Sequence, residues 1–274
     1  MTTMKTNDVH ERLKSICLFL SDYSTNMLSA GATTSRIERC VGRMARVYDV
    51  EVDISILPTR VLVNVWNKLR EHSYNQVGRA HTGGINLNTI AKLTQLSHRI
   101  EEQKTTQEDG EVYSCMPIKE ANKQMSDIID EPRINHYEVM VLTSLANMSF
   151  CKLFGGDWTA MGIVFVATAV GFYYKSLMLR WHMDARIVTT IAGLISAILG
   201  TSGFIFGISD TPETAVATSV LWLVPGIRFI NAISDMLAGH HLVAQSRLAE
   251  AIITTISLSI GLCLALLITN IEWR

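Results

Sequence analysis

The spacing of apolar residues changes near Pro132. Before Pro132, apolar residues recur at the three-to-four-residue spacing of amphipathic helices or at the alternate spacing of strands. After it, they form runs of about 20 residues, the length that a helix needs to cross a bilayer. The pattern therefore predicts a small soluble domain over residues 1–132 and a membrane domain over residues 133–274.

The soluble region is predicted to be an α+β domain. Apolar stripes at helical spacing predict four helices, at about 9–30, 35–48, 87–104 and 117–130. Alternating or β-branched runs predict three strands, at about 50–57, 59–66 and 74–80. A polar segment at about 105–116 is predicted to be a loop. Ser35 stands three residues before Glu38, which is the spacing of a capping box, and is predicted to cap the second helix.

Five apolar segments after Pro132 are each predicted to be a transmembrane helix. They span about 135–153, 158–179, 187–208, 213–234 and 248–269. The first is the weakest because Asn147 and Lys152 interrupt it, whereas the third contains no charged residue. The predicted fold class is a membrane α-helical bundle of five transmembrane helices, preceded by a small cytoplasmic α+β domain.

Charge separates the same two regions. Residues 1–133 carry 34 charged side chains, 17 of each sign, whereas residues 134–274 carry 15, and the net charge is −1. A neutral soluble region argues against nucleic acid as a partner, because phosphate binding needs a basic surplus. The five cysteines form no CxxC pair, and the soluble half contains no nucleophile–base constellation. Neither a metal site, a cofactor nor an enzyme activity is therefore expected.

Lysine and arginine residues in the short loops predict the orientation of the helices. The loop after the second segment is assigned Lys175, Arg180 and Arg186, and the loop after the fourth is assigned Arg247. The loops on the other side hold acidic residues, namely Asp157, Asp210 and Glu213. Because basic loops stay inside, the soluble domain is predicted to be cytoplasmic and the C-terminus to lie outside.

The fourth segment is interrupted by Pro225 and Gly226, and proline removes a backbone donor and clashes with the preceding turn. Transporters often bind substrates at such broken helices. Arg228, Asn231 and Asp235 follow at spacings of three and four residues, which place them on one helix face. Arg228 is a candidate for binding a substrate carboxylate, and Asp235 for pairing with Arg228 or carrying a proton. In the alternative interpretation these residues mark the inner membrane interface, with Arg228 at lipid headgroups and Asp235 in a loop.

The end of the first segment supplies three further candidates, Asn147, Lys152 and Asp157. A lysine at this depth is costly unless it is paired or reaches water, and Asp157 is a candidate partner. Lys152 is therefore a candidate for ion coupling. The alternative is an interfacial lysine at the outer leaflet.

Four short motifs, two in each half, carry a family resemblance. In the soluble half they are Gly31-Ala32-Thr33-Thr34-Ser35-Arg36-Ile37-Glu38 and Leu57-Pro58-Thr59. In the membrane half they are Leu153-Phe154-Gly155-Gly156-Asp157 and Leu223-Val224-Pro225-Gly226, followed by Asn231, Asp235 and Gly239. Their order and spacing, over about residues 10–268, resemble the threonine/serine exporter family. The resemblance implies a secondary transporter that exports threonine and serine with the energy of the proton gradient.

The resemblance also implies a partner. Full-length members of that family carry this unit and then a second unit of five helices. The chain stops at Arg274, just after its fifth segment, and so resembles the split, YjjP-like form, whose partner is a separate YjjB-like protein of five helices. The split pair is associated with succinate export, so the resemblance implies a substrate of the succinate or the threonine/serine type.

The sequence thus predicts a subunit of a bacterial inner-membrane secondary exporter for small carboxylate metabolites. Its expected partners are the carboxylate substrate, membrane lipid and a YjjB-like chain, in a homo- or hetero-oligomer. The alternative is a membrane-anchored sensory or scaffold protein whose cytoplasmic domain binds a ligand or another protein. Five segments, one of them broken, favour the transporter, because an anchor needs only one or two plain helices.

Overall fold

The computed structural model of the chain describes residues 2–81, 84–105, 115–132 and 134–270. The chain divides into two compact units, and the boundary near Pro132 coincides with the change in hydropathy. The first unit consists of Met1–Pro132 and Ile230–Arg247, and the second of Arg133–Phe229 and Leu248–Arg274. Residues 230–247, which follow the proline–glycine pair, therefore belong to the same unit as the charged N-terminal half.

The first unit contains a three-stranded antiparallel sheet and four N-terminal helices. The helices are α1 (Thr2–Ser29), α2 (Thr34–Val47), α3 (Leu87–Thr105) and α4 (Ile118–Ile129), and the strands are β1 (Glu51–Ile56), β2 (Arg60–Trp66) and β3 (Ser73–Arg79). The strand order is β1-β2-β3, so β2 is central. Apart from an earlier start of α1, these bounds lie within a few residues of the predicted ones. Most of the predicted loop at 105–116 lies outside the described residues.

The core of this unit lies between α1 and the sheet. Alternate residues of the central strand are buried, namely Val61, Val63 and Val65, as the two-residue period of a strand requires. Tyr23 of α1 is fully buried, and its hydroxyl donates to the carbonyl oxygen of Leu93 in α3 at 2.8 Å. Burying one of these valine side chains contributes about 1.5–3 kcal/mol. The same apolar face that predicted α1 therefore joins the sheet to α3.

The second unit is helical. Its elements are α5 (His136–Leu153), α6 (Trp158–Arg180), α7 (Ala185–Gly200), α8 (Ser202–Phe206), α9 (Pro212–Ser219) and a 3₁₀ turn (Leu221–Leu223). Two more helices each run from one unit into the other, namely α10 (Gly226–Leu237) and α11 (His241–Thr269).

Three helices are long and apolar enough to cross a membrane, namely Trp158–Arg180, Ala185–Phe206 and His241–Thr269. Two shorter pieces, Pro212–Leu223 and Gly226–Leu237, meet at an angle of 58° and count as a fourth span if they are taken together. Within the described part of the chain, α5 does not join this set, because Glu138, Asn147 and Lys152 interrupt its apolar run. The structure therefore supports three to four spans.

Small residues allow the helices of the second unit to approach closely. A Cβ on Gly261 of α11 would lie 2.3 Å from the carbonyl oxygen of Thr190 in α7. A Cβ on Gly200 would lie 2.6 Å from the hydroxyl of Ser219. Small residues at such positions are typical of helix contacts in membranes, where packing replaces the hydrophobic effect. A larger side chain at either glycine would force the helices apart.

Candidate functional site

The bend in the fourth span follows from one proline. The residue before a proline is disfavoured in the helical region, and Val224 adopts an extended conformation with φ −62° and ψ 127°. Pro225 has no amide hydrogen, but its carbonyl oxygen accepts the amide of Phe229 at 3.2 Å as α10 begins. The break therefore lies at the residues that the sequence indicated, Pro225 and Gly226.

Asp235 of α10 is completely buried and paired. Its carboxylate accepts the amide N–H of Thr34 at 2.8 Å and the guanidinium of Arg247 at 2.6 Å. The other terminal nitrogen of Arg247 donates to the carbonyl oxygen of Ala32 at 2.6 Å. A buried carboxylate needs a counter-charge and hydrogen bonds, and Asp235 has both. The predicted pairing of Asp235 with Arg228 is therefore wrong, because Arg247 of α11 already occupies its second oxygen.

Asn231 completes this arrangement, one helical turn before Asp235. Its side-chain amide donates to the carbonyl oxygen of Gly31 at 2.9 Å. Gly31 has φ +86°, a left-handed conformation that favours glycine, and it ends the preceding helix. We call the turn 31–34 together with Asn231, Asp235 and Arg247 the Asp235 cluster. In it, side chains of α10 and α11 bind the backbone of the turn between α1 and α2.

The Asp235 cluster also corrects the predicted helix cap. α2 begins at Thr34, so Ser35 lies inside its first turn and cannot be the cap. The preceding Thr33 makes no side-chain capping bond, and the carboxylate of Asp235 satisfies the amide of Thr34 instead. An acidic group at this end of a helix also interacts favourably with the helix dipole. A residue about 200 positions away in the sequence has taken the capping role.

Arg228 lies in the first turn of α10 and has a weak partner. Its guanidinium is 3.9 Å from the carboxylate of Glu250, and the two side chains are 41% and 57% exposed. Exposed ion pairs of this kind contribute about 0–1 kcal/mol to stability. The contact with Glu250 therefore stabilises the fold little and leaves the guanidinium of Arg228 able to bind another group. Arg228 therefore stands next to the break with its charge accessible.

Asp157 lies at the N-terminus of α6 and is fully hydrogen-bonded. Its carboxylate accepts the hydroxyls of Ser209 at 2.7 Å and Thr211 at 2.9 Å, and the amide of Ala160 at 3.0 Å. The hydroxyl of Ser209, followed by the amide of Ala160 and the hydroxyl of Thr211, holds the pKa of Asp157 well below its ordinary value. Asp157 therefore stays ionised, caps α6 and anchors the loop before α9.

Lys152 does not pair with Asp157 among the described residues. Its ammonium lies 5.1 Å from the centroid of the Trp158 ring and 3.5 Å from the carbonyl oxygen of Gly156. The predicted ion pair is wrong because the hydroxyls of Ser209 and Thr211 surround the carboxylate of Asp157. Lys152 is instead held by a cation–π contact.

Asn147 of α5 is buried in the second unit and connects three elements. Its side-chain amide donates to the hydroxyl of Thr168 at 2.7 Å and to the carbonyl oxygen of Thr218 at 3.0 Å. Its side-chain oxygen is buried and has no hydrogen-bond partner within the described residues. Asn147 therefore joins α5 to α6 and α9, and it keeps one acceptor free.

Sequence reasoning missed Lys175 as a site residue, because it counted Lys175 among the loop charges. The structure places Lys175 inside α6, which ends at Arg180. The ammonium of Lys175 lies 5.1 Å from the centroid of the Trp222 ring, in the 3₁₀ turn before the break. The available signal was the position of Lys175 within an otherwise apolar run.

Comparison with known proteins places the chain in one family of exporters. The sequence model of a family described as "Putative threonine/serine exporter" matches residues 19–269. The "Probable succinate transporter subunit YjjP" of Escherichia coli K12 is 26% identical over 255 residues, which cover 90% of this chain and 91% of that protein. No solved structure matches the chain.

Two longer relatives match over about half of their length. The "Probable threonine/serine exporter" of Mycobacterium tuberculosis is 21% identical over 246 residues, which cover 88% of this chain and 44% of that protein. The "Threonine/serine exporter" of Corynebacterium glutamicum is 19% identical over 255 residues, which cover 89% of this chain and 49% of that protein.

Proposed function

The chain belongs to the threonine/serine exporter family, and from this premise we propose that it is one subunit of an inner-membrane secondary exporter for small carboxylate metabolites. It is a membrane transporter and not an enzyme. Succinate, threonine and serine, which the names of its relatives mention, all carry a carboxylate. The substrate class therefore follows from the one group that these molecules share.

The proposed partner is a second membrane chain of the YjjB-like type, with five helices. Two observations support it. The relative that this chain covers almost completely is named a subunit, whereas the relatives that are named as exporters are about twice as long as the matched part. A second chain would supply the part of the longer relatives that this chain does not match. The substrate sites of transporters often lie between two such halves.

The proposed topology has five spans, with α5 as the first. The N-terminal unit lies in the cytoplasm of a bacterial cell and the C-terminus lies outside. Arg180 and Arg186 flank the loop between α6 and α7, whereas Asp157 and Asp210 stand on the other side, which agrees with the bias of basic residues toward the cytoplasm. The hydrogen bonds of Asn147 to α6 and α9 support the place of α5 in the bundle, although its hydropathy is low.

The proposed substrate path lies at the bent span. A break in a membrane helix frees backbone groups, which is tolerated where the backbone lines a cavity or packs on protein. Arg228, next to the break and weakly paired, would bind the substrate carboxylate in a two-pronged contact. Asn147 would contribute its free side-chain oxygen. Asn231 and Asp235 are bonded within the first unit, and Lys152 and Asp157 within the second, so these four residues would hold their own units in place.

The observation that carries this proposal is the accessible arginine at the proline break. The test is efflux of succinate, threonine and serine from cells that express the chain with and without the YjjB-like partner. Arg228→Gln should abolish efflux while the amount of protein in the membrane stays the same. Arg180→Gln, which removes an exposed arginine at the end of α6, is the matched control and should retain efflux. Normal efflux from the Arg228 variant would refute the proposed site.

A further inference from the structure

The three-stranded sheet of the first unit has one face that is open. Alternate residues of β2 are buried on the side that packs on α1, so the residues between them point away from the core. We call the outward residues of β1, β2 and β3 the outer sheet face. They are exposed, except for Asn64 and Trp66, which are half-buried. Leu62 and Val77 are 40% and 55% exposed, so this face leaves apolar area in water that a partner would bury.

Two arginines stand directly opposite each other at one end of this face. Arg60 of β2 is in register with Arg79 of β3, and both are exposed. Among the described residues, neither guanidinium has a carboxylate within 4.0 Å. At the far end of the same sheet, in contrast, Arg70 binds Glu51 at 2.7 Å. Like charges in this cross-strand position are destabilising, so the arginine pair is suited to a negative charge from outside the unit.

A negative charge stands farther along the same face. Asp53 of β1 is in register with Asn64 of β2, and in the described parts of the chain it forms no ion pair. Leu62 lies between Arg60 and Asn64 on β2, two residues from each. Two residues of a strand span about 7 Å, so Leu62 is about equally far from the two charged rows. The outer sheet face is therefore positive on one side of an apolar centre and negative on the other.

A second copy of this chain presents the charges that match this pattern. In a twofold interface both copies use the same surface, so each contact between two different residues occurs twice. A twofold axis near Leu62 would place the arginine pair of each copy against Asp53 of the other. An anionic lipid surface matches the pattern less well, because it would attract the arginines and repel Asp53. We propose that the outer sheet face is a contact between two copies of this chain, with Leu62 at its centre.

The size of the face indicates where this contact forms. The strands β2 and β3 have seven residues each, and three strands of this length present roughly 300 Å². A stable interface between soluble proteins buries about 800 Å² on each partner, so this face is too small to hold two free copies together. Two copies that lie in one bilayer have a much higher effective concentration. The contact is therefore expected in membranes, and it goes beyond the export function without depending on it.

The first test is crosslinking of the full-length chain in membranes of cells that express it. Leu62→Cys is combined with Cys115→Ser and Cys263→Ser, which remove the two cysteines that are not buried. Stacked sheets lie about 10 Å apart, so a thiol crosslinker of about that length should join two copies at position 62. The matched control is Ser73→Cys, which is exposed on the same face but lies about 13 Å from Leu62 along the strands. It should give no crosslinked dimer.

The second test reverses the charges in the Leu62→Cys chain. Arg60→Glu together with Arg79→Glu should reduce the crosslinked fraction by about tenfold or more, because like charges would then face each other across the contact. Adding Asp53→Arg to these two changes restores opposite charges and should recover a large part of the crosslinking. The three positions are exposed, so the amount of protein in the membrane should stay the same.

Three results would overturn the proposal. The first is a Leu62→Cys chain that gives no dimer, and the second is a crosslinked fraction that charge reversal leaves unchanged. The third is a failure of Asp53→Arg to recover crosslinking after the arginines have been reversed. A crosslink to a different protein would assign the face to that partner instead. A position 62 that is protected from a thiol reagent in the membrane, but forms no dimer, would assign the face to lipid.

Discussion

The Asp235 cluster and Lys175 of α6 both contain charged groups, but they differ in how these charges are paired. In the Asp235 cluster both oxygens of the buried carboxylate have a partner, and the other terminal nitrogen of Arg247 donates to a backbone carbonyl. Lys175 of α6 has no carboxylate within 4.0 Å among the described residues, and its ammonium faces the ring of Trp222. Fully bonded polar groups hold a fold together, whereas a charge inside a membrane span without a counter-charge usually marks a functional position. The contrast predicts a structural role for the Asp235 cluster and a functional role for Lys175.

The largest loss of stability is expected when the ion pair of the Asp235 cluster is removed. Asp235→Ala should destabilise the protein by about 3–5 kcal/mol, because it leaves the buried Arg247 without its counter-charge and Thr34 without its cap. The measurement is thermal unfolding in detergent, followed by intrinsic fluorescence. Asp235→Ala combined with Arg247→Met removes both charges and should recover part of the loss. An unfolding temperature equal to that of the wild type in the single variant would show that the pair is not structural.

Lys175 should behave in the opposite way. Lys175→Gln removes a charge that has no counter-charge from a candidate membrane span, so the unfolding temperature should stay the same or rise, and succinate efflux should fall if the ammonium contacts substrate. The comparison between stability and transport in one preparation is the decisive measurement. A variant that loses stability and transport together would place Lys175 among the structural residues, beside Asp235.

These two regions also mark what the sequence can predict. Hydrophobic spacing is a local property, so it located the strands and helices of the N-terminal half, and the proline located the bend at Pro225. Of the five predicted spans, three to four are supported. The pairing of Asp235 with Arg247 and Thr34 is not local, because Thr34 lies about 200 residues away and no spacing rule connects them. The same distance explains why Ser35 was predicted to be a cap when a remote carboxylate has that role.

Lys175 illustrates a different limit. In a hydropathy pattern, a lysine near the end of an apolar segment looks like a flanking charge that sets orientation. The sequence already predicts that this segment reaches about residue 179, but only the folded chain shows that the 3₁₀ turn brings the ring of Trp222 to the ammonium. Arg228, in contrast, could be named as a candidate from the sequence, because the proline–glycine pair beside it interrupts an apolar segment in a recognisable way.

Asn147 lies between the two cases, with its amide bound and its oxygen free. Asn147→Ala removes two hydrogen bonds between helices and should cost about 0.6–1.7 kcal/mol, the range measured for such bonds within membranes. Thr168→Val removes one of the same bonds, leaves the side-chain oxygen of Asn147 in place and serves as the control. If Asn147 only joins helices, both variants should reduce transport in proportion to their loss of stability. A larger loss of transport in Asn147→Ala would indicate that the free oxygen contacts substrate.

Asp157 provides the smallest effect and the clearest dependence on pH. Asp157→Ala removes the cap of α6 and should cost about 0.5–2 kcal/mol. The folded-state pKa of Asp157 lies below the value of about 3.9 expected for an unfolded chain, so its ionised form stabilises the fold above that value. This stabilisation is lost as the pH falls through the folded-state pKa. The difference in unfolding temperature between the wild type and Asp157→Ala should therefore be the same at pH 6 and pH 8 and shrink below about pH 4. A difference that changed between pH 6 and pH 8 would mean that Asp157 titrates in the physiological range, as a coupling residue would, and would move it from the residues with a structural role to those with a functional role.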